Sequence, residues 1–261
     1  MFEAQLLEGK TFKINVGNKS VEETSNEKLL GITMSNNLSW NVYLYGNQQT
    51  GTQKVVGLIP KLSQRIGMLM KLKRFMDSKQ FKMTCDGLFH STLLYCIPLF
   101  VNTWGLPTMD DTMRKSTAFS KEDCRRLQVL QNKVLRSLTG EVRIQKSTES
   151  LVNEAKVLSV HQLGAYHTLI TTARILQSKK PAYLSTMLTP KKYNQVTIVP
   201  ARQQNVIDAN CKLSVSRCGF VYRAAKLWNC LPLSLRCEMN MEKFKRLLKI
   251  WIKEFIRTKP P

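Results

Sequence analysis

Carboxylates are scarce in this 261-residue sequence: 18 Asp and Glu stand against 40 Lys and Arg, for a net charge of +22. No run of 18 apolar residues occurs, which argues against a membrane-spanning helix. The stretch Met1–Lys10 has a short apolar patch but no basic flank of the kind that opens a secretory signal. The seven cysteines are odd in number and scattered. They fit a reducing compartment better than a disulfide scaffold, so an intracellular location, nuclear or cytoplasmic, is expected. There is no P-loop, no G-x-G-x-x-G phosphate cradle and no G-x-S-x-G nucleophile elbow. No internal repeat of fixed period is found.

What is present is apolar material and positive charge. Hydrophobic residues make up 43% of the chain, enough for a real core, which excludes a wholly disordered basic tail. Residues 1–60 hold 5 basic and 5 acidic side chains, residues 61–140 hold 14 and 6, and residues 141–261 hold 21 and 7. The excess therefore lies outside the N-terminal segment. A cationic field of that extent concentrates polyanions, nucleic acid first and an anionic membrane second.

The pattern predicts a mainly α protein with a small N-terminal β unit. Thr11–Val16 alternates as a strand and Gly17-Asn18 marks a turn. Lys28–Met34 reads as a second short strand, and residues 46–52 as a linker. Helices follow. One runs from Pro60 to Phe75 on Leu62, Ile66, Leu69, Met70 and Leu72. The next is capped by Ser78 and stops near Pro98. After a loop over 104–119, Ser120–Asp123 resembles a capping box. Its helix carries Leu127, Leu130, Val134, Leu135 and Leu138 and ends at Gly140. Ser159 starts a helix halted before Pro181. Residues 189–218 show no clear period. Phe220–Trp228 reads as helical, and Asn240 opens a last helix with Phe244, Leu247, Leu248, Trp251 and Phe255 on one face. The expected organisation is 1–52, a β unit and linker; 53–140, a helical domain; and 141–261, a basic, mostly helical region.

Four phrases occur in order: Lys28–Trp40 (KLLGITMSNNLSW), Leu88–Pro98 (LFHSTLLYCIP), Leu127–Arg136 (LQVLQNKVLR) and Phe220–Pro232 (FVYRAAKLWNCLP). Together they resemble the part of a jockey-like, LINE-type (non-LTR) retrotransposon reverse transcriptase that follows the catalytic palm. The resemblance implies a residual palm β unit, a helical thumb-like bundle and a basic C-terminal region. In that family these parts hold the primer–template duplex. The polymerase chemistry there needs three Asp carboxylates and two Mg²⁺ ions. The family's Tyr/Phe-x-Asp-Asp hairpin comes before the LLGI phrase and is not in this sequence. The Mg²⁺ would belong to that palm, so no catalytic residue, metal or cofactor is assigned here, and the isolated chain is expected not to polymerise. Two departures stand out. Ser35-Asn36-Asn37 occupies the region of the phrase where an Asp is usual, and the Gln/Gly-rich 46–53 segment replaces a Trp-x-x-His-Ile continuation.

Met109-Asp110-Asp111 imitates a reverse-transcriptase signature, but it follows the LLGI phrase in a Pro/Gly loop and reads as an ordinary acidic loop. Cys211, Cys218, Cys230 and Cys237 are too widely spaced for a zinc knuckle and read as buried free thiols. His161 and His167, six apart, do not share a helical face at i, i+4. Tyr222, Trp228 and Trp251 are expected in the core rather than stacked on bases.

The basic clusters are the functional candidates. Arg65, Lys71, Lys73 and Arg74 crowd one helix end, Arg125, Arg126, Lys133 and Arg136 share another helix, and Lys245 and Lys249 lie on the last. Set along a groove, they would neutralise phosphates of an RNA–DNA or DNA duplex. The competing expectation is an interaction module that self-associates or binds host proteins through exposed apolar faces. An anionic membrane surface is the least favoured partner.

Overall fold

The computed structural model describes residues 13–17, 19–22, 24–36, 39–46, 55–95, 97–100, 121–140, 146–188, 207 and 219–256. Among these the protein is mainly α-helical, with two small antiparallel hairpins at its N-terminal side. The expectations for 104–119, Asp110-Asp111, Ser120, Cys211 and Cys218 lie outside the described residues. So does segment 189–218, apart from Ile207.

The first hairpin pairs β1 (Lys13–Val16) with β2 (Lys19–Glu22), turning at Gly17 with φ +60°. The second corrects the sequence reading of Lys28–Met34 as one strand. It folds back on itself as β3 (Asn26–Leu29) and β4 (Ile32–Ser35), with Leu29 opposite Ile32. A two-residue hairpin turn of the twist-compatible kind needs positive φ at both central positions. Leu30 (φ 49°) and Gly31 (φ 84°) supply it, the leucine against its own steric preference. The Tyr95 hydroxyl donates to the Leu30 carbonyl and holds that turn against the helices.

Helix α1 (Asn41–Tyr45) leads to α2 (Leu58–Leu72). The chain entering α2 crosses the end of α1 so closely that a Cβ on Gly57 would stand 2.4 Å from the Gly46 nitrogen. Only two glycines permit that approach. Leu58, Leu62, Ile66 and Leu69 bury one face of α2. A 3₁₀ turn, Lys73–Phe75, follows.

Helix α3 (Ser78–Cys85) is capped by Asp77, one residue before the expected Ser78. Asp77 and Gln80 exchange bonds in a capping box, and a carboxylate also suits the positive helix start. The helix does not run on regularly. A π-helical segment, Asp86–His90, leads into α4 (Ser91–Leu94), the helix breaks at Tyr95, and Pro98 sits inside α5 (Ile97–Phe100).

Next come α6 (Lys121–Thr139), α7 (Thr148–Glu154), α8 (Val160–Ser178) and α9 (Ala182–Met187). After them lie α10 (Phe220–Cys230), α11 (Leu233–Arg236) and α12 (Met241–Phe255). Gly140 ends α6 at φ 71°, as its position predicts. Ser159 caps α8 in a box with Gln162, and Asn240 caps α12 by accepting from the Lys243 N–H. On α12, Phe244, Leu248 and Trp251 are buried as expected, but Leu247 and Phe255 are 39% and 62% exposed. The buried arc centres on 244, 248 and 251, so both of these fall outside what the neighbouring helices cover.

Two cores result. The first joins β4, α1, α2, the α3–α4 arm and α6 around Leu44, Leu62, Leu69, Phe89, Leu93 and Leu127. The second packs α8, α10, α11 and α12 around Leu169, Ala224, Trp228, Phe244 and Leu248. Helix α8 reaches both, since Val160 belongs to the first core and Ala165 onward to the second. Tyr222, Trp228 and Trp251 are core side chains, as expected.

Candidate nucleic-acid interface

Helices α2 and α6 run in the same direction. At their starts, the hydroxyl of Tyr45, the last residue of α1, which the Gly46–Val56 bridge brings beside the start of α2, donates to Asp123 in the first turn of α6. At their ends, Lys73 Nζ donates to the Ser137 carbonyl at 2.7 Å and lies over the Phe81 ring. Two of the expected basic clusters thus meet at one end of the bundle. Lys71, Lys73 and Arg74 come from α2 and its 3₁₀ extension, Lys133 and Arg136 from α6. Part of this charge is structural, because cations at helix C-termini offset the partial negative charge there. Arg74 donates to the Lys71 carbonyl and lies over Phe75. Lys71 and Lys133 are exposed, and none of the five is paired with a carboxylate among the described residues.

The remaining expected contacts are placed differently. Arg125 and Arg126 both grip Glu122, Arg125 through two bonds at 2.6 and 2.7 Å and Arg126 through one at 3.1 Å. Those guanidinium bonds hold the Glu122 carboxyl down at about 2, and the carboxylate in turn raises both arginines. Arg126 also covers the Tyr45 ring. Lys245 pairs with Glu242 at 2.5 Å, and Lys249 donates to the Lys156 carbonyl at 3.3 Å. Arg65 is half-buried and donates through Nη1 to the Leu88 carbonyl and the Thr92 hydroxyl. It faces a cleft away from the α2–α6 end. Eleven helical steps, roughly 16 Å at 1.5 Å per residue, separate Arg125 from Arg136, so the two ends of the α6 cluster do not form one patch.

Exposed Lys79 and Lys82 on α3 were not singled out from the sequence. A short helix with two lysines gives no cluster signal; their relevance comes from the packing of α3 against α2 and α6.

Burial raises Tyr45 to about 12, with the Asp123 hydrogen bond and charge adding to it. A raised folded value means that this contribution to stability is complete below the phenol's usual pH 10 and is lost as pH rises through about 12. We expect a tyrosine titration step near 12 in the ultraviolet spectrum that vanishes in Tyr45→Phe. A step near 12 that persists in that variant would belong to another tyrosine and overturn the assignment to Tyr45.

Burial also pushes the thiols of Cys85 and Cys124 up, to about 11 and about 12, which suppresses their thiolates. Cys237, expected buried, is exposed, because it closes the short α11 at the surface. His161 is buried in α8 and His167 is half-buried, its pKa lowered mainly by that burial. Among the described residues no group of three or more His, Cys, Asp or Glu side chains could hold a metal, and no helix is long and apolar enough to cross a membrane.

Polar residues of Leu127–Arg136 and Phe220–Pro232 serve the fold. Gln128 Nε2 donates to Gln131 Oε1 and Asn132 Oδ1, while Gln128 Oε1 accepts from the Val160 N–H. Gln131 continues to the Leu158 carbonyl and Asn132 to the Thr148 hydroxyl. Asn229 holds the backbone of Ile207 at both its N–H and its carbonyl.

The fold and the site together describe a basic, mainly helical protein. No protein-family model, curated protein or solved structure matches the chain.

Proposed function

We propose that this chain is a non-catalytic nucleic-acid grip of LINE-type reverse-transcriptase origin, binding RNA–DNA or DNA duplex through backbone phosphates without reading sequence. The observation that supports this best is the joint C-terminal end of α2 and α6, where Lys71, Lys73, Arg74, Lys133 and Arg136 lie with no carboxylate partner among the described residues. Elsewhere on the same helix a single Glu122 offsets two arginines. Positive charge left unpaired at one end is charge available for phosphates.

The test is duplex binding across a salt series. Each lost phosphate contact lowers the salt slope by about 0.9 on B-DNA. Lys133→Glu and Lys71→Glu should weaken binding and flatten the slope. Arg125→Glu should do less, because Glu122 already holds that guanidinium. Equal losses from all three would place the contact surface elsewhere.

The alternative reading is a protein-interaction module, favoured by the exposed Leu247 and Ile250 on α12 and Leu29 and Leu30 on the second hairpin. Its association would persist at high salt, where phosphate binding would not.

A further inference from the structure

The cleft that holds Arg65 supports a separate site. Its volume is about 560 Å³, within the roughly 300–1,000 Å³ of small-ligand pockets. Its walls come from three parts of the fold: the β3–β4 turn at Gly31, the α2 face carrying Lys61 and Arg65, and the π-helical arm at Gly87, Ser91 and Tyr95. A π insertion is an irregularity that recurs at functional sites. Here it turns the Leu88 carbonyl toward Arg65 Nη1, at 2.6 Å.

That bond and the one to Thr92 fix the guanidinium in place. Neither supplies negative charge. No carboxylate pairs with Arg65 or Lys61 among the described residues, and Arg65 Nε and Nη2 have no partner there. A guanidinium fixed by two neutral acceptors, with its other nitrogens open to the cleft, is placed to hold an anion in two-point fashion. Lys61 lies one helical turn away on the same wall, as i, i+4 spacing requires. Ser91 adds a hydroxyl, and Tyr95, 48% exposed, offers a ring at the rim. Gly87 is an exposed part of the lining, and a Cβ there would meet nothing within 4 Å.

We infer that this cleft binds the phosphate of a nucleotide-sized ligand, with Arg65 and Lys61 on the phosphate and Tyr95 against the planar base. This inference does not rest on the duplex-binding reading, whose residues lie at the C-terminal ends of α2 and α6.

The test is calorimetric titration of the full chain with adenosine 5′-monophosphate, with inorganic phosphate and adenosine as competitors. Arg65→Gln would also remove the Leu88 contact and could unfold the arm, so the informative variants are Lys61→Glu, at an exposed position, and Gly87→Leu, which fills open space. Each should keep its helical circular dichroism and weaken the nucleotide at least tenfold, and inorganic phosphate should compete. Absent binding by the folded chain, unchanged affinity in both variants, or competition by adenosine but not by phosphate would overturn the inference. A short single-stranded oligonucleotide distinguishes the source of the phosphate. A tenfold loss in the same two variants, with none in Lys133→Glu, assigns it to a strand. Unchanged oligonucleotide binding beside a lost nucleotide assigns it to a free nucleotide.

Discussion

Replacing Arg223 by alanine is expected to lower stability by about 3–5 kcal/mol, the range for removing one partner of a buried charged contact. Arg223 is 1% exposed and sits on α10 in the second core. Its Nη2 reaches across the chain to the Pro98 and Leu99 carbonyls, at 2.9 and 2.8 Å. Those carbonyls belong to α5, which has no long helix of its own to satisfy them. Truncation therefore leaves two acceptors short of donors and opens a cavity as well. For a chain of this size that corresponds to roughly 6–20 °C in midpoint temperature. Arg223→Met separates the two causes, since it keeps most of the volume and removes both bonds. It should recover part of the loss and no more. A thermal melt in which Arg223→Ala lies within 2 °C of the wild type would show that α5 is not held by this contact.

Gln128→Leu is the second large effect, expected to cost about 2–4 kcal/mol, because several buried polar groups lose partners at once. Gln128 makes three bonds within 8%-exposed or deeper surroundings, to Gln131, to Asn132 and from the Val160 N–H. Val160 opens α8, so its N–H is one of the helix-start donors that have no partner inside the helix. Leucine has a similar volume, which confines the loss to hydrogen bonding. Gln128→Glu is the sharper companion. It keeps an acceptor for Val160 but removes the amide donor that both neighbours need, and it buries a charge. Chemical denaturation should show both variants less stable with an unchanged denaturant slope. A Gln128→Leu protein as stable as the wild type would mean that the amide chain specifies geometry without stabilising it.

The helices were legible because their causes are local. Leu127, Leu130, Val134 and Leu135 recur at helical spacing, Gly140 ends the same segment, and Ser159 with Gln162 forms a box readable from four letters. The second hairpin was not legible as such. Leu29-Leu30-Gly31-Ile32 looks like one apolar run, and only Tyr95, 65 positions away, pins the turn at Leu30. Asp77 capped where Ser78 was expected because adjacent capping residues compete, and Gln80 completes the box with the first of them.

The basic candidates divide in the same way. Composition and spacing determined that the chain is basic, mainly helical and able to form a core, and the i+3 and i+4 pairing of Glu122 with Arg125 and Arg126 was already written in neighbouring letters. Which cations remain unpaired was decided by tertiary structure. Lys73 meets Ser137 across 64 positions, and Arg65 meets Leu88 and Thr92 across 23 and 27. A side chain's charge belongs to its residue type, but its availability depends on what the packed chain brings within about 3 Å of it, the reach of a hydrogen bond.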